Sequence, residues 1–360
     1  MTTLLITGAG SLARATAQAL PAALQALNKT CDGHIDRLVV VSRTERSAHW
    51  VGMLAAAAAG AIDHPLEVDA RTMSWAASGL ASLFEHVRPD IVLHTASFQS
   101  AWSLSGKTPW ACLVSEAGYG VTLPLQAALA IKIHDANRAA GGNAQIVNAC
   151  YPDLANAACD RLGRRFLSGI GNVALLAEAY RQSLSARSAS SVAVLAGHWD
   201  VATAMMPPSQ RPASPRVWLE GAEITDHRVT HARQLEAGES LNLLNAALTA
   251  RFLAALMHRA DADIHLPGVH GALGGGPARL RGGVLEAILP SDLSADDAAA
   301  FHRQRSLADG AVLEGDDAIL SPRAAAAVEK AGVAIRARYP LEEIEEEARR
   351  LLAIRRFLTT

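Results

Sequence analysis

The chain is poor in charge. Charged residues are 19% of its 360 positions and the formal net charge is −2. With no basic excess, the composition offers no electrostatic footing for nucleic acid or an anionic membrane surface. Cysteine is scarce too: Cys31, Cys112, Cys150 and Cys159 form no Cys-x-x-Cys pair and no close Cys/His spacing. That excludes a disulfide framework and a structural zinc site, and no metal ligand set is read from the sequence. Long apolar runs are also missing, and none free of charge or strong breakers reaches membrane-spanning length. The chain opens directly on the apolar run Thr3 to Thr7, with no basic leader, so the expected location is the cytoplasm.

Half the residues are hydrophobic, enough for two domains that share an interface. Up to about residue 150, strand-like runs alternate with helical stretches, the pattern of a parallel sheet covered on both faces. Strands are predicted over 4–7, 37–42, 64–69, 91–95 and 145–149, with helices near 12–27, 45–59, 74–87 and 121–139. The run Ala55 to Ala59 reads as helix rather than disorder.

The first strand closes on Gly8-Ala9-Gly10-Ser11-Leu12-Ala13, a Gly-x-Gly-x-x-Ala. In such a turn Gly8 permits the tight bend and Gly10 lets the backbone approach a diphosphate. Ala13 is small enough for close helix–strand packing, and the helix N-terminus faces the phosphates. The motif alone is weak; its place between a strand and a helix supports a doubly wound, Rossmann-type dinucleotide site over residues 1–153. The alternative is a purely structural turn. The second strand ends Ser42-Arg43, with Arg46 nearby, where an NAD site usually carries a carboxylate. Serine and arginine there welcome a 2′-phosphate, so NADP is expected over NAD, the alternative being a solvated loop arginine. Thr95, Ala96 and Ser97 end the fourth strand beside the expected nicotinamide half. His94 reads as a packed core residue. Residues 98–118 are expected to be a long irregular lid, in which Lys107 would meet an anionic substrate.

The second half carries looser signals. Gln145-Ile146-Val147-Asn148-Ala149-Cys150-Tyr151-Pro152-Asp153 runs from strand to loop, and Leu162-Gly163 precedes Gly169-Ile170-Gly171-Asn172. A strand from Ser190 leads to Gly197-His198-Trp199-Asp200. Val217-Trp218-Leu219-Glu220-Gly221 follows it. Gly274-Gly275-Gly276-Pro277 through Leu289-Pro290 reads as a late hairpin, with a helix from near Ser294. In this order the segments resemble the lactate/malate dehydrogenase superfamily. The resemblance implies an α+β substrate domain over 154–360 and a homo-oligomer, dimer or tetramer, acting on a small molecule. It implies His198 as general acid/base, a role suited to a side chain that titrates near neutrality. It places Asn148 against the nicotinamide ribose or substrate, although Cys150 falls there without a gap, and it places Asn172 beside the substrate.

The chain departs from that family where it matters for substrate. Leu175 stands where the family has the aspartate that orients its histidine, and Glu178 where it has a carboxylate-clamping arginine. Losing that fork argues against an ordinary 2-keto acid, and Glu178 points instead to an amine or another neutral or cationic group. Three readings stay open: a carbonyl/hydroxyl oxidoreductase, an imine/amine dehydrogenase of opine or saccharopine type, and a nucleotide sensor without catalysis. A short-chain dehydrogenase is disfavoured, because Leu123 stands where that family's lysine would follow Tyr119. Residues 238–259 are expected to form a scaffold helix with Leu241, Leu244, Leu248, Phe252 and Leu256 on one face. A charged amphipathic helix is expected over 342–356.

Overall fold

A computed structural model describes residues 1–28, 35–104, 106–186, 191–225 and 234–359. Cys31, and Ser190 at the start of the histidine segment, lie outside the described residues. The first half runs β1 (Thr3–Thr7), α1 (Ser11–Asn28), β2 (Asp36–Ser42), α2 (Glu45–Gly60), β3 (Leu66–Thr72), α3 (Ala77–Val87) and β4 (Ile91–His94). It continues through α4 (Pro109–Ala117), α5 (Leu123–Ala139), β5 (Gln145–Asn148), α6 (Pro152–Arg161) and β6 (Ser168–Gly169). The strands order as β3-β2-β1-β4-β5-β6 and every pair is parallel. In this order the chain reverses direction between β1 and β4, which opens a crevice at their carboxyl ends.

Strand alternation sends successive side chains to opposite faces. Leu5, Val39, Val41 and Val92 join one core with α3, α4 and α5, whereas Leu4, Ile6, Leu38, Val40 and Leu93 join another with α1 and α2. His94, expected in the core, is fully buried, with Nδ1 2.8 Å from the Thr7 hydroxyl.

The expected irregular stretch 98–118 instead contains α4. Thr108 caps that helix by accepting from the Ala111 amide at 3.2 Å, and Pro109 sets its first turn. Trp110, Leu113 and Val114 then bury against the sheet-side core. The sheet also runs past the expected boundary at 153, since β6 pairs with β5.

The second half contains α7 (Val173–Ser183), β7 (Val192–Leu195), α8 (His198–Ala204), β8 (Arg216–Leu219), β9 (Ala222–Ile224) and α9 (Leu241–Met257). The hairpin β11 (Gly275–Arg281) and β12 (Val284–Ala287) forms as expected and pairs with β10 (Ala262–Pro267). α10 (Ala295–Ala308) follows, capped by Ser294. α9 buries Leu241, Phe252 and Leu256 of the expected stripe, leaves Leu244 and Leu248 partly buried, and buries Ala246, Thr249 and Ala250 as well, with α1 packed along it.

The end of the chain returns to the first half. β13 (Ala311–Glu314), β14 (Asp317–Leu320), α11 (Pro322–Lys330), β15 (Arg338–Pro340) and α12 (Ile344–Thr359) put Leu313, Tyr339, Leu341 and Leu351 into one core with Val92, Trp110 and Leu123. No helix among the described residues is long and apolar enough to cross a membrane.

Two contacts fix α8. Ala196 and Gly275 exchange backbone hydrogen bonds at 2.9 and 3.1 Å, tying the end of β7 to β11. Asp200 accepts the Gly197 amide at 2.8 Å and pairs with Arg305 of α10 at 3.0 Å. Both side chains are buried, so removing one partner strands a charge away from water. Arg305→Ala is expected to cost about 3–5 kcal/mol, read as a lower urea midpoint; an unchanged midpoint would show that the pair does not anchor α8.

Candidate active site

One cleft of about 1270 Å³ crosses the carboxyl ends of the parallel strands. Gly8, Gly10, Ser11, Leu12 and Ala13 line it on one side, and Thr95, Ala96 and Ser97 line it after β4. Gly8 has φ +115°, and a Cβ there would lie 2.5 Å from the Thr95 hydroxyl; at Gly10 a Cβ would meet nothing within 4 Å. The first glycine lets β1 close against β4, and the second leaves open space above the N-terminus of α1, which fits a dinucleotide diphosphate.

At the far end Ser42, Arg43, Thr44 and Ser47 line the cleft. Thr44 caps α2 by accepting from the Ser47 amide, so amide donors and the Arg43 guanidinium share this end. Glu239 is the sole carboxylate among the described residues that line the cleft. Arg46, expected to contribute a second contact, is exposed and does not line it.

His198 lines the opposite part of the cleft with its side chain one-fifth exposed. It opens α8, two residues after the Ala196–Gly275 bridge. Its Nδ1 lies 2.9 Å from Oδ2 of Asp309, the residue that caps the C-terminus of α10. Because a carboxylate only accepts, Nδ1 carries the proton and Nε2 is left to exchange one. The Tyr151 hydroxyl donates to the same Asp309 oxygen at 2.7 Å. Tyr119 stacks on the imidazole with centroids 4.6 Å apart, and Tyr151 meets it edge-on at 5.0 Å.

Close backbone packing makes this possible. A Cβ on Gly118 would lie 2.3 Å from the Asp309 carbonyl, and one on Gly120 would lie 2.5 Å from the Ala311 amide. Only glycines there let the Tyr119 segment press against the turn that carries Asp309. Backbone strain collects at the same place: Tyr151 has φ +49° and Asn172 φ +41°, both left-handed and neither glycine. Asn172 also lines the cleft and donates to the buried Asp153.

Burial is the largest influence on His198 and works against its charge. The charge of Asp309, its hydrogen bond and the charge of Asp153 together outweigh it and hold the imidazole above its ordinary 6.5. Burial pushes Asp153 up to about 6 and the Cys150 thiol up to about 12.

Three sequence-predicted site residues sit elsewhere. Lys107 is exposed and does not line the cleft, because α4 carries the segment after it into the core. Asn148 is fully buried: it donates to Asn156 and the Cys150 carbonyl and accepts the Cys150 amide, so it shapes the strand end. Cys150, the ungapped alternative, does line the cleft. Glu178 takes Arg181 at 2.5 and 2.8 Å and faces a separate small cavity, which corrects its assignment to substrate.

The sequence reading missed Asp309, Tyr119 and Tyr151 as site residues. Among the described residues no three His, Cys, Asp or Glu side chains converge to hold a metal.

No protein-family model matches the chain, and no curated protein matches it. Solved structures do. A malate dehydrogenase from Plasmodium falciparum aligns over 92% of this chain and 99% of its own, with 13% identity and a TM-score of 0.54. The chain shares the malate dehydrogenase fold. A 6-phospho-alpha-glucosidase from gut microorganisms, solved with NAD and glucose-6-phosphate, aligns over 100% of this chain and 99% of its own at 10% identity and TM-score 0.57. A 6-phospho-beta glucosidase from Thermotoga maritima, solved with manganese, NAD+ and glucose-6-phosphate, aligns over both whole chains at 11% identity and TM-score 0.54.

The raised pKa of His198 has a stability consequence with a definite sign. A histidine held above 6.5 in the fold stabilises it fully below pH 6.5, and the contribution disappears as pH rises through the folded value. Asp309→Asn is expected to move the His198 titration, followed by imidazole chemical shifts, to lower pH. A titration that stays in place would dismiss Asp309 as the group that holds the proton.

Proposed function

We propose that the protein is an NADP-dependent oxidoreductase that moves a hydride to or from a small polar carbonyl or hydroxyl metabolite. The observation that carries this reading is the Asp309–His198 pair, which opens onto the same cleft that Gly8 and Gly10 border. The fold shared with nicotinamide-linked neighbours supports it, and the NAD in two of those structures is a property of those proteins.

The bound nicotinamide would supply the hydride donor or acceptor. Gly8, Gly10 and the N-terminus of α1 would hold the diphosphate, with Ser42, Arg43 and the capped start of α2 at the adenosine end. His198 would give or take the substrate proton at Nε2, while Asp309 fixes its tautomer and stabilises the imidazolium. Tyr119 covers one face of the ring and keeps water from it.

NADP is favoured over NAD because the end of β2 brings Ser42, Arg43 and Thr44 to the cleft, where an NAD site usually carries a carboxylate. The imine/amine alternative drew on the missing arginine clamp and on Glu178, and the Glu178 carboxylate is occupied by Arg181 outside the cleft. The sensor alternative drew on the missing aspartate–arginine pair, and of that pair Asp309 offers His198 the carboxylate from another part of the chain.

Fluorescence titration tests the cofactor assignment. Arg43→Ala is expected to weaken NADPH by about ten- to a hundredfold, the worth of a charged hydrogen bond, with little effect on NADH. Tighter NADH than NADPH binding by the wild type would overturn it. His198→Ala is expected to lower turnover by roughly 10²–10⁴ while leaving NADPH affinity intact; turnover that survives the substitution would remove the histidine from the chemistry.

A further inference from the structure

The far end of the chain puts a cation into the cleft. Arg355, on α12, lines it with a half-buried side chain. Nη1 donates to the Phe98 carbonyl at 2.5 Å and to Oε1 of Gln99 at 3.3 Å. No carboxylate among the described residues pairs with the guanidinium, and Nε and Nη2 have no protein partner among them. Burial and the neighbouring charge of Arg356 both act against its positive charge, so an anion at the free side of the fork would relieve it.

Which anion follows from placement. Phe98 and Gln99 follow directly on Thr95 to Ser97, the strand end that closes against Gly8. Gln99 and then Gln126, which donates to both the Gln99 carbonyl and the Tyr119 hydroxyl at 2.9 Å, stand between Arg355 and the ring that covers the imidazole. Arg355 makes no direct contact with His198 or with the two tyrosines around it, whereas a clamp on a carboxylate next to a reacting carbon acts beside the proton-transfer group.

We infer that Arg355 binds the diphosphate of the dinucleotide, so that the C-terminal helix completes the cofactor site of the first half. This rests on the oxidoreductase reading above. Since NADH and NADPH share the diphosphate, the residue differs from Arg43 in serving both.

The test is equilibrium titration of the full-length protein with NADPH, NADH and ADP-ribose. Arg355→Ala is expected to weaken all three by about ten- to a hundredfold, with a shallower dependence on salt, while Arg355→Lys recovers part of the loss. Thermal unfolding without ligand shows whether the variant keeps its fold. Arg355→Gln, which retains most of the stem, repeats the titration if the alanine variant does not. Unchanged affinity for the three ligands in a folded variant overturns the assignment. If the wild type binds none of them, the oxidoreductase reading itself fails, an outcome distinct from failure of Arg355 alone.

Discussion

A buried hydrogen bond between a histidine and an aspartate is the constraint around which the second half is arranged. His198 and Asp309 come from different elements, and each is held from behind. The first is held through the Ala196–Gly275 bridge and the capped start of α8, the second as the residue that caps the C-terminus of α10. Asp200 and Arg305 join those two helices a second time, one turn from the His198–Asp309 pair. A buried ion pair contributes little net stability compared with apolar packing, but it fixes two helices in one register. Here that register decides whether a proton sits on Nδ1 or Nε2.

The first half was legible because its signals are local. β1 and β2 are apolar runs whose alternate residues enter two different cores, and the glycine turn sits between a strand and a helix as its chemistry requires. Even there α4 was hidden. Its start signal, Thr108-Pro109, is present, but the apolar residues behind it were read as part of a loop.

The second half was legible only in part, for a physical reason. His198 carries a chemistry of its own and stands out wherever it falls, whereas Asp309 is an ordinary acidic residue at a helix end until folding brings it 2.9 Å from the imidazole. The same holds for Tyr119, Tyr151 and Arg355, which acquire their setting from partners distant in the chain. Leu175 and Glu178 stand where the resemblance implies an aspartate and an arginine. The carboxylate beside His198 comes instead from another element. Gly118, Gly120 and Gly310 meet where no side chain fits, and such crowding marks a junction.

The separation of the pair has a consequence for the chain as it is made. His198 precedes Asp309 by 111 residues, and Arg355 comes later still. While the polypeptide emerges from the ribosome, the β1–β6 sheet and its glycine turn are complete well before the imidazole finds its acceptor. A nascent or C-terminally clipped chain would therefore present a nucleotide fold whose histidine has no fixed tautomer.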